Sequence, residues 1–437
     1  MKLLLKGGRV VDPRNCLDGI MDVLIEAGRI VSAGATADTI PDTDEVEVLD
    51  ARGKLVLPGL IDMHVHLREP GREDEETIET GTLAAARGGF VAVACMPNTD
   101  PPIDTGAAVR FVTSRAREAG HVRVLPVGAI TKGLNGTELA EIGELREAGV
   151  VAISDDGRPV TSSRIMRHAM EYAGTFGLPV ISHAEDVELS AGGAMNEGYW
   201  STRLGLPGIP AAAEEVVVAR DIILAELTGA RLHVAHVSTA GSVELIRRAK
   251  EKGIPVTCEA TPHHFSLTDE AVAGYDTNTK VNPPLRTRRD VEALREGLAD
   301  GTIDVIASDH APHTAEEKEV EYELAAPGMI GLETSLAVTF TELVKPGILT
   351  LQHLVERMSY GPARILGLDW PGILPGANAN ITVLDPDASF VVDPATFASL
   401  SRNTPFAGRL LFGKVVATIV DGSVSGGVWT AASERDT

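Results

Sequence analysis

Histidines and aspartates recur along this 437-residue chain at points where short apolar runs stop, and both side chains bind metal ions and move protons. The stretch Leu60-Ile61-Asp62-Met63-His64-Val65-His66-Leu67-Arg68 sets two imidazoles two residues apart. Side chains alternate faces along a strand, so Asp62, His64 and His66 are expected on one side. Two imidazoles in register at a strand end can grip one zinc-like ion. The ordinary alternative, one satisfied core histidine and one solvent-facing one, weakens as further residues join them. Asp155-Asp156-Gly157, His183, His236 and Asp309 each follow an apolar run. Singly, the Asp-Asp-Gly triplet reads as a turn and each histidine as a polar strand cap. Ligands offered by five strand ends together do not read that way. Four histidines with two or three carboxylates suit zinc-like ions and suffice for two metals bridged by a carboxylate and a hydroxide. Alternation lets only one of Asp155 and Asp156 face the centre.

Positioning such a set demands a fold that collects strand ends. From Lys54 onward, strands alternate with helices. Helical runs over Glu75–Arg87, Ala107–Ala119, Glu138–Ala148, Arg164–Thr175, Ala211–Thr228, Val243–Lys252 and Val291–Ala299 separate strands that end at the residues above. A helix after Gly331 completes eight units. Alternation of this kind predicts a parallel sheet, and eight units predict a closed (β/α)8 TIM barrel with its active site at the carboxyl ends of the strands. Another helix is expected over Leu351–Gly367. Residues 1–53 and 371–437 read instead as short strands between Gly, Pro, Asp and Asn, including Glu45–Asp50 and Ala379–Leu384. The expected organisation is a barrel over 54–370 and a small β-sandwich domain built from both chain ends. His121, His168, His233, His263, His264, His310 and His353 are given structural roles rather than ligand roles.

Composition narrows the function classes. Net charge is −23, from 39 basic and 62 acidic residues, which disfavours nucleic acid and anionic membrane as partners. Cys16, Cys95 and Cys258 are too few and too scattered for a disulfide framework or a cysteine zinc site, so a reducing, cytoplasmic location is expected. The run Met1–Gly8 is too short for a signal peptide, and no stretch approaches a transmembrane span.

Asp62-x-His64-x-His66 with His183, His236 and Asp309 resembles the metal-dependent amidohydrolase superfamily. Within it, His64-Val-His66-Leu-Arg68-Glu-Pro-Gly71, Met96-Pro-Asn98-Thr99, Asn282-Pro-Pro-Leu-Arg286, Asp309-His-Ala-Pro-His313, Gly328-Met-Ile-Gly331-Leu-Glu-Thr and Asn403-Thr-Pro-Phe406 resemble the bacterial class I dihydroorotase family. Hydantoinases, allantoinases and other dihydroorotases bridge their metals with a carboxylated lysine on the fourth strand. No lysine lies between Lys132 and Lys250, so the resemblance implies a carboxylate bridge, Asp156 by its family-like spacing, with Asp155 as the alternative.

The implied reaction is the reversible interconversion of N-carbamoyl-L-aspartate and L-dihydroorotate, a step of pyrimidine biosynthesis. The resemblance implies two Zn2+ ions, one held by His64, His66 and Asp309 and the other by His183 and His236. Asp156 and a hydroxide would lie between them, with Asp309 as the general acid and base. It also implies substrate contacts from His66, Arg68, Asn98, Asn282, His313, Pro327 and Gly328. Arg68 would clamp the substrate carboxylate; a salt bridge to Glu69 or Asp74 is its ordinary alternative. The segment 314–328 reads as a loop that closes over substrate or as a solvated charged helix. A hydantoin-, dihydropyrimidine- or allantoin-cleaving relative and a non-catalytic scaffold for aspartate transcarbamoylase are the rival readings. A homodimer and a complex with that transcarbamoylase both remain compatible with the sequence.

Overall fold

Eight parallel strands form the barrel in the computed structural model, which describes residues 2–34 and 46–426. Residue 45, where one strand of the leading segment was expected to open, and residues 427–437 of the trailing segment lie outside the described residues. The barrel strands are Leu60–Val65, Phe90–Cys95, Arg123–Ala129, Ala152–Ser154, Val180–Ser182, Leu232–Val234, Val256–Ala260 and Val305–Ile306, paired in that order. A parallel bridge between Val65 and His310, with the His66 amide donating to the His310 carbonyl at 2.9 Å, brings the last strand back to the first.

Most barrel-strand residues are buried, which is why they read as continuous apolar runs rather than alternating ones. Met63, Ala94, Val127, Ala152, Ile181, Ala235 and Val305 fill the interior with small and medium side chains, together with Ile365 and Leu366 from the helix Gly361–Leu366. A larger apolar layer joins the strands to the surrounding helices. Those helices start where the sequence offers caps: Thr77, Thr105, Ser162 and Thr239 each accept a backbone N–H of the first turn. The eighth unit differs from a plain helix. Ser335–Thr339 runs on into a wider π turn over Phe340–Val344, and a second π turn, Glu356–Tyr360, interrupts the helix that begins at Leu351.

Both chain ends pair into one eight-stranded sheet. Lys2–Asp12 pairs with Leu17–Glu26, and Ile381–Val391 pairs with Leu410–Val420. The two halves meet on Leu55–Pro58, which runs parallel to Arg9–Val10 and antiparallel to Ile381–Leu384. Leu3, Val23, Ile30, Val56, Ile381, Val383 and Ile419 share one core, so the sheet closes over side chains from both ends. Leu55–Pro58 looked from its sequence like the beginning of the barrel. Instead it belongs to this sheet, and the chain passes into the barrel at Gly59. A β-carbon at Gly59 would meet Val91, so only glycine allows so close a crossing. No helix among the described residues is long and apolar enough to cross a membrane.

Candidate active site at the carboxyl ends of the barrel strands

The first strand delivers His64 and His66, past an irregular register between Asp62 and Val65. Asp62 points elsewhere: its carboxylate accepts the Ser308 and His64 amides. His183, His236, Asp156 and Asp309 arrive from four other strand ends. His64 Nε2 lies 3.4 Å from Asp156 Oδ1 and 3.5 Å from Asp309 Oδ1. His66 Nε2 lies 3.5 Å from Asp156 Oδ2 and 3.3 Å from Asp309 Oδ1. His183 Nδ1 and His236 Nε2 approach Asp156 Oδ1 at 3.5 and 3.7 Å and each other at 2.9 Å. Asp156 thus turns one oxygen toward His66 and the other toward His64, His183 and His236.

Three of the imidazoles are fixed from behind. His64 Nδ1 donates to Glu259 Oε1 at 2.5 Å, His66 Nδ1 to Asn98 Oδ1 at 2.8 Å, and His183 Nε2 to Glu185 Oε2 at 3.1 Å. Each outer nitrogen therefore carries the hydrogen, and each inner nitrogen presents a lone pair to the carboxylates. His64 Nε2 and Asp156 Oδ1 are both buried and lack any hydrogen-bond partner. Two facing lone pairs in a dry interior repel unless positive charge lies between them. The surrounding charge acts unevenly: burial lowers His66 below the usual imidazole value, whereas His64 and His183 are raised. Burial alone would depress His64, yet Asp156, Glu259 and Asp309 raise its pKa well above the usual imidazole value. Burial likewise works against charging His183, but Asp156 and Glu185 lift it to about 10. Asp156 and Asp309 are held far below the usual carboxylate range, against burial, by the surrounding imidazoles. The residues fit a divalent cation, and two overlapping groups that share His64, namely His64, Asp156, His236 and His64, His66, Asp309, are compact enough to hold one.

Asp155, the neighbour of Asp156, faces away from this cluster. It accepts the amides of Ile130 and Thr131 at 2.7 and 3.0 Å and bonds the Thr131 hydroxyl. His310 also turns outward, accepting the Gly331 and Leu332 amides and meeting Glu76 at 3.2 Å. His233 stands behind the site, between Thr257 and Glu259. His264 is locked between Thr261 and the Pro283 carbonyl. Glu259, Glu185 and Glu75 escaped the sequence reading. Glu259 did leave a trace there, as an acidic residue inside an otherwise apolar buried strand.

A cavity of about 230 Å³ opens onto the cluster, lined by Arg68, Asn98, Asn282, His313, Pro327 and Gly328 as well as the inner ring. The Arg68 backbone, like those of His236 and Asp309, lies in the left-handed region, with φ of 60°, 28° and 49°. Such backbones cost on the order of 1–3 kcal/mol each and persist where surrounding structure enforces them. Arg68 meets neither Glu69 nor Asp74; it bonds the Pro312 carbonyl and lies 2.9 Å from Glu75. Asn282 donates to Glu185 at 2.9 Å. The segment 314–328 holds only one short helical turn and is tied down by two lysines. After one short helical turn, Ala315–Lys318, the Lys318 ammonium donates to the Ala326 and Gly328 carbonyls, and Lys280 to that of Glu323.

Fold and site together are those of the metal-dependent amidohydrolase class. A dihydro-orotase-like family model matches residues 53–242. The chain is 62% identical to a dihydroorotase of Pelotomaculum thermopropionicum, over 97% of this chain and 98% of that protein. It is 56% identical to a dihydroorotase of Acetivibrio thermocellus, again over 97% and 98%. Among solved structures, the L-hydantoinase of Arthrobacter aurescens superposes with a TM-score of 0.88 at 28% identity, over 98% of this chain and 97% of that one. The chain belongs to the dihydroorotase family, enzymes of the cyclic-amide hydrolase kind.

Proposed function

We propose that the chain interconverts L-dihydroorotate and N-carbamoyl-L-aspartate with two zinc ions. His64, His66 and Asp309 would hold one ion, His183 and His236 the other, and Asp156 would bridge them. The observation that carries this reading is the pair of unpartnered, buried acceptors His64 Nε2 and Asp156 Oδ1 inside a ring of oriented imidazoles, in a chain more than half identical to dihydroorotases. Bound there, zinc would supply a water acidic enough to attack at neutral pH and would polarise the ring amide carbonyl.

The chain's own groups do the rest. Asp309, kept ionised by its imidazole neighbours, takes the proton of the attacking water. It returns that proton to the departing amide nitrogen as the C–N bond breaks, and the reverse order closes the ring. Arg68 and His313 receive the substrate carboxylate, with Asn98, Asn282 and the Pro327–Gly328 backbone around the ring. A cavity of this size suits a single small ring. The three free thiols, Cys16, Cys95 and Cys258, suit a reducing cytoplasm.

The test is ring opening of L-dihydroorotate by zinc-loaded protein, with hydantoin, dihydrouracil and allantoin alongside, for wild type and Arg68→Ala. Wild type is expected to act on dihydroorotate. Arg68→Ala is expected to lose about 2–4 kcal/mol of kcat/KM, roughly 30- to 1000-fold, with zinc content unchanged. Preference for an uncharged ring would discard the substrate assignment, and loss of zinc from Arg68→Ala would discard the clamp.

A further inference from the structure

One carboxylate near the cavity contacts three cationic or donor groups without facing the inner cluster. Glu75 is 1% exposed and precedes the helix Ile78–Arg87. Its Oε2 lies 2.9 Å from Arg68 Nε, and its Oε1 lies 3.0 Å from both Arg72 Nη2 and His313 Nδ1. Arg68 Nη2 and His313 Nε2 stand only 3.5 Å apart at the cavity wall. Glu317 supports the same arrangement from the segment 314–328, at 3.1 Å from His313 Nδ1 and 2.6 Å from Arg72 Nη2. Glu75, His313 and Glu317 are close enough to hold a cation, but two guanidinium groups already neutralise the cluster.

We propose that Glu75 is a positioning residue for recognition of the substrate carboxylate: it holds Arg68 and His313 side by side as a preformed anion receptor. Arg68 is also held by the Pro312 carbonyl, and His313 Nε2 meets the Pro327 carbonyl at 3.1 Å. One buried carboxylate that meets both side chains adds to these anchors, and order already present in the free protein does not have to be gained on binding. Glu75 is the one group among these anchors that meets both, by Coulombic attraction to Arg68 and by bonding His313 on the nitrogen remote from the cavity. The effect falls on substrate binding rather than on the bond-breaking step, because Glu75 reaches neither the inner imidazoles nor Asp309. The inference rests on the dihydroorotate reading above and adds to it the origin of preference for a ring that bears a carboxylate.

The test uses zinc-loaded Glu75→Gln, which keeps the side-chain shape and removes the charge. KM for dihydroorotate and the inhibition constant of orotate are expected to rise about tenfold or more, with kcat within about threefold and zinc content unchanged. Glu317→Gln, at a more exposed position, provides a second variant should the first fail to fold; it is expected to raise KM about two- to fivefold with kcat retained. Unchanged KM overturns the proposal. A fall in kcat matching the rise in KM, or zinc lost together with activity, gives Glu75 a different role and overturns it equally. Wild type inactive on dihydroorotate would instead refute the reading beneath it, so the two failures are distinct.

Discussion

Replacing Glu259 by glutamine isolates the charge that stands behind the inner ring. Glu259 is fully buried and accepts from His64 Nδ1 at 2.5 Å and from the His236 amide at 3.2 Å, while its other oxygen meets His233 at 3.1 Å. An amide can preserve this geometry, with oxygen toward His64 and His236 and nitrogen toward His233, whose second nitrogen lies beside Thr257. Only the charge disappears. That charge sits about 5 Å from the His64 Nε2 lone pair, where a unit charge contributes about 332/(20 × 5), roughly 3 kcal/mol, at an effective dielectric of about 20. Losing such an outer carboxylate weakens metal binding by roughly 10- to 100-fold, about 1.4–2.7 kcal/mol, and full burial places Glu259 toward the upper end. Competitive chelator titration of zinc against purified wild type and Glu259→Gln reads this directly, without any turnover assay. A zinc affinity within about twofold of wild type would refute the argument that Glu259 acts through His64.

Two adjacent aspartates should part company under the same substitution. Asp156→Asn is expected to lower zinc stoichiometry with little change in Tm, whereas Asp155→Asn should keep its zinc and lose about 1–3 kcal/mol of stability by weakening the Ile130 and Thr131 bonds; metal analysis beside thermal melts checks both. Glu333, which accepts the Ala398 and Ser399 amides, is pushed by burial up to about 7. A raised folded pKa gives stability that is complete below about 4.5 and is lost as pH rises through 7. Glu333→Gln should therefore gain on wild type between pH 4.5 and 8, by at most about 3 kcal/mol, and a pH-independent difference in Tm would contradict it.

The barrel was legible because burial on both faces writes apolar runs, and because each run stops at a polar residue that the carboxyl-end rule makes conspicuous. His64, His66, Asp156, His183, His236 and Asp309 come from five strand ends and lie within a few ångströms of one another. Their convergence required only that the sheet close. What stayed hidden depends on distances no local pattern encodes. Glu259 meets His64 across 195 positions and His313 meets Glu75 across 238, so neither contact has a sequence spacing to betray it. Leu55–Pro58 was misassigned for a related reason: an apolar tetrapeptide fits a barrel strand and a terminal-sheet strand equally well, and only its pairing decides. The segment 314–328 reads as a closing loop or a charged helix because its charges are conspicuous, while the carbonyls that receive Lys280 and Lys318 are invisible in a sequence.

The seam on Leu55–Pro58 also sets a timetable for synthesis. One edge of that strand finds its partner at once in Arg9–Val10, but the other waits for Ile381–Leu384, more than 300 residues later. At ~5–20 residues per second, the open edge faces the cell for roughly 15–65 s before the ribosome delivers its cover. Unpaired strand edges recruit other chains, so a nascent chain of this design passes through an interval in which that edge is open to pairing with its own siblings. A chain that ends before residue 381 leaves that interval without an end, because the strand that covers this edge is never made.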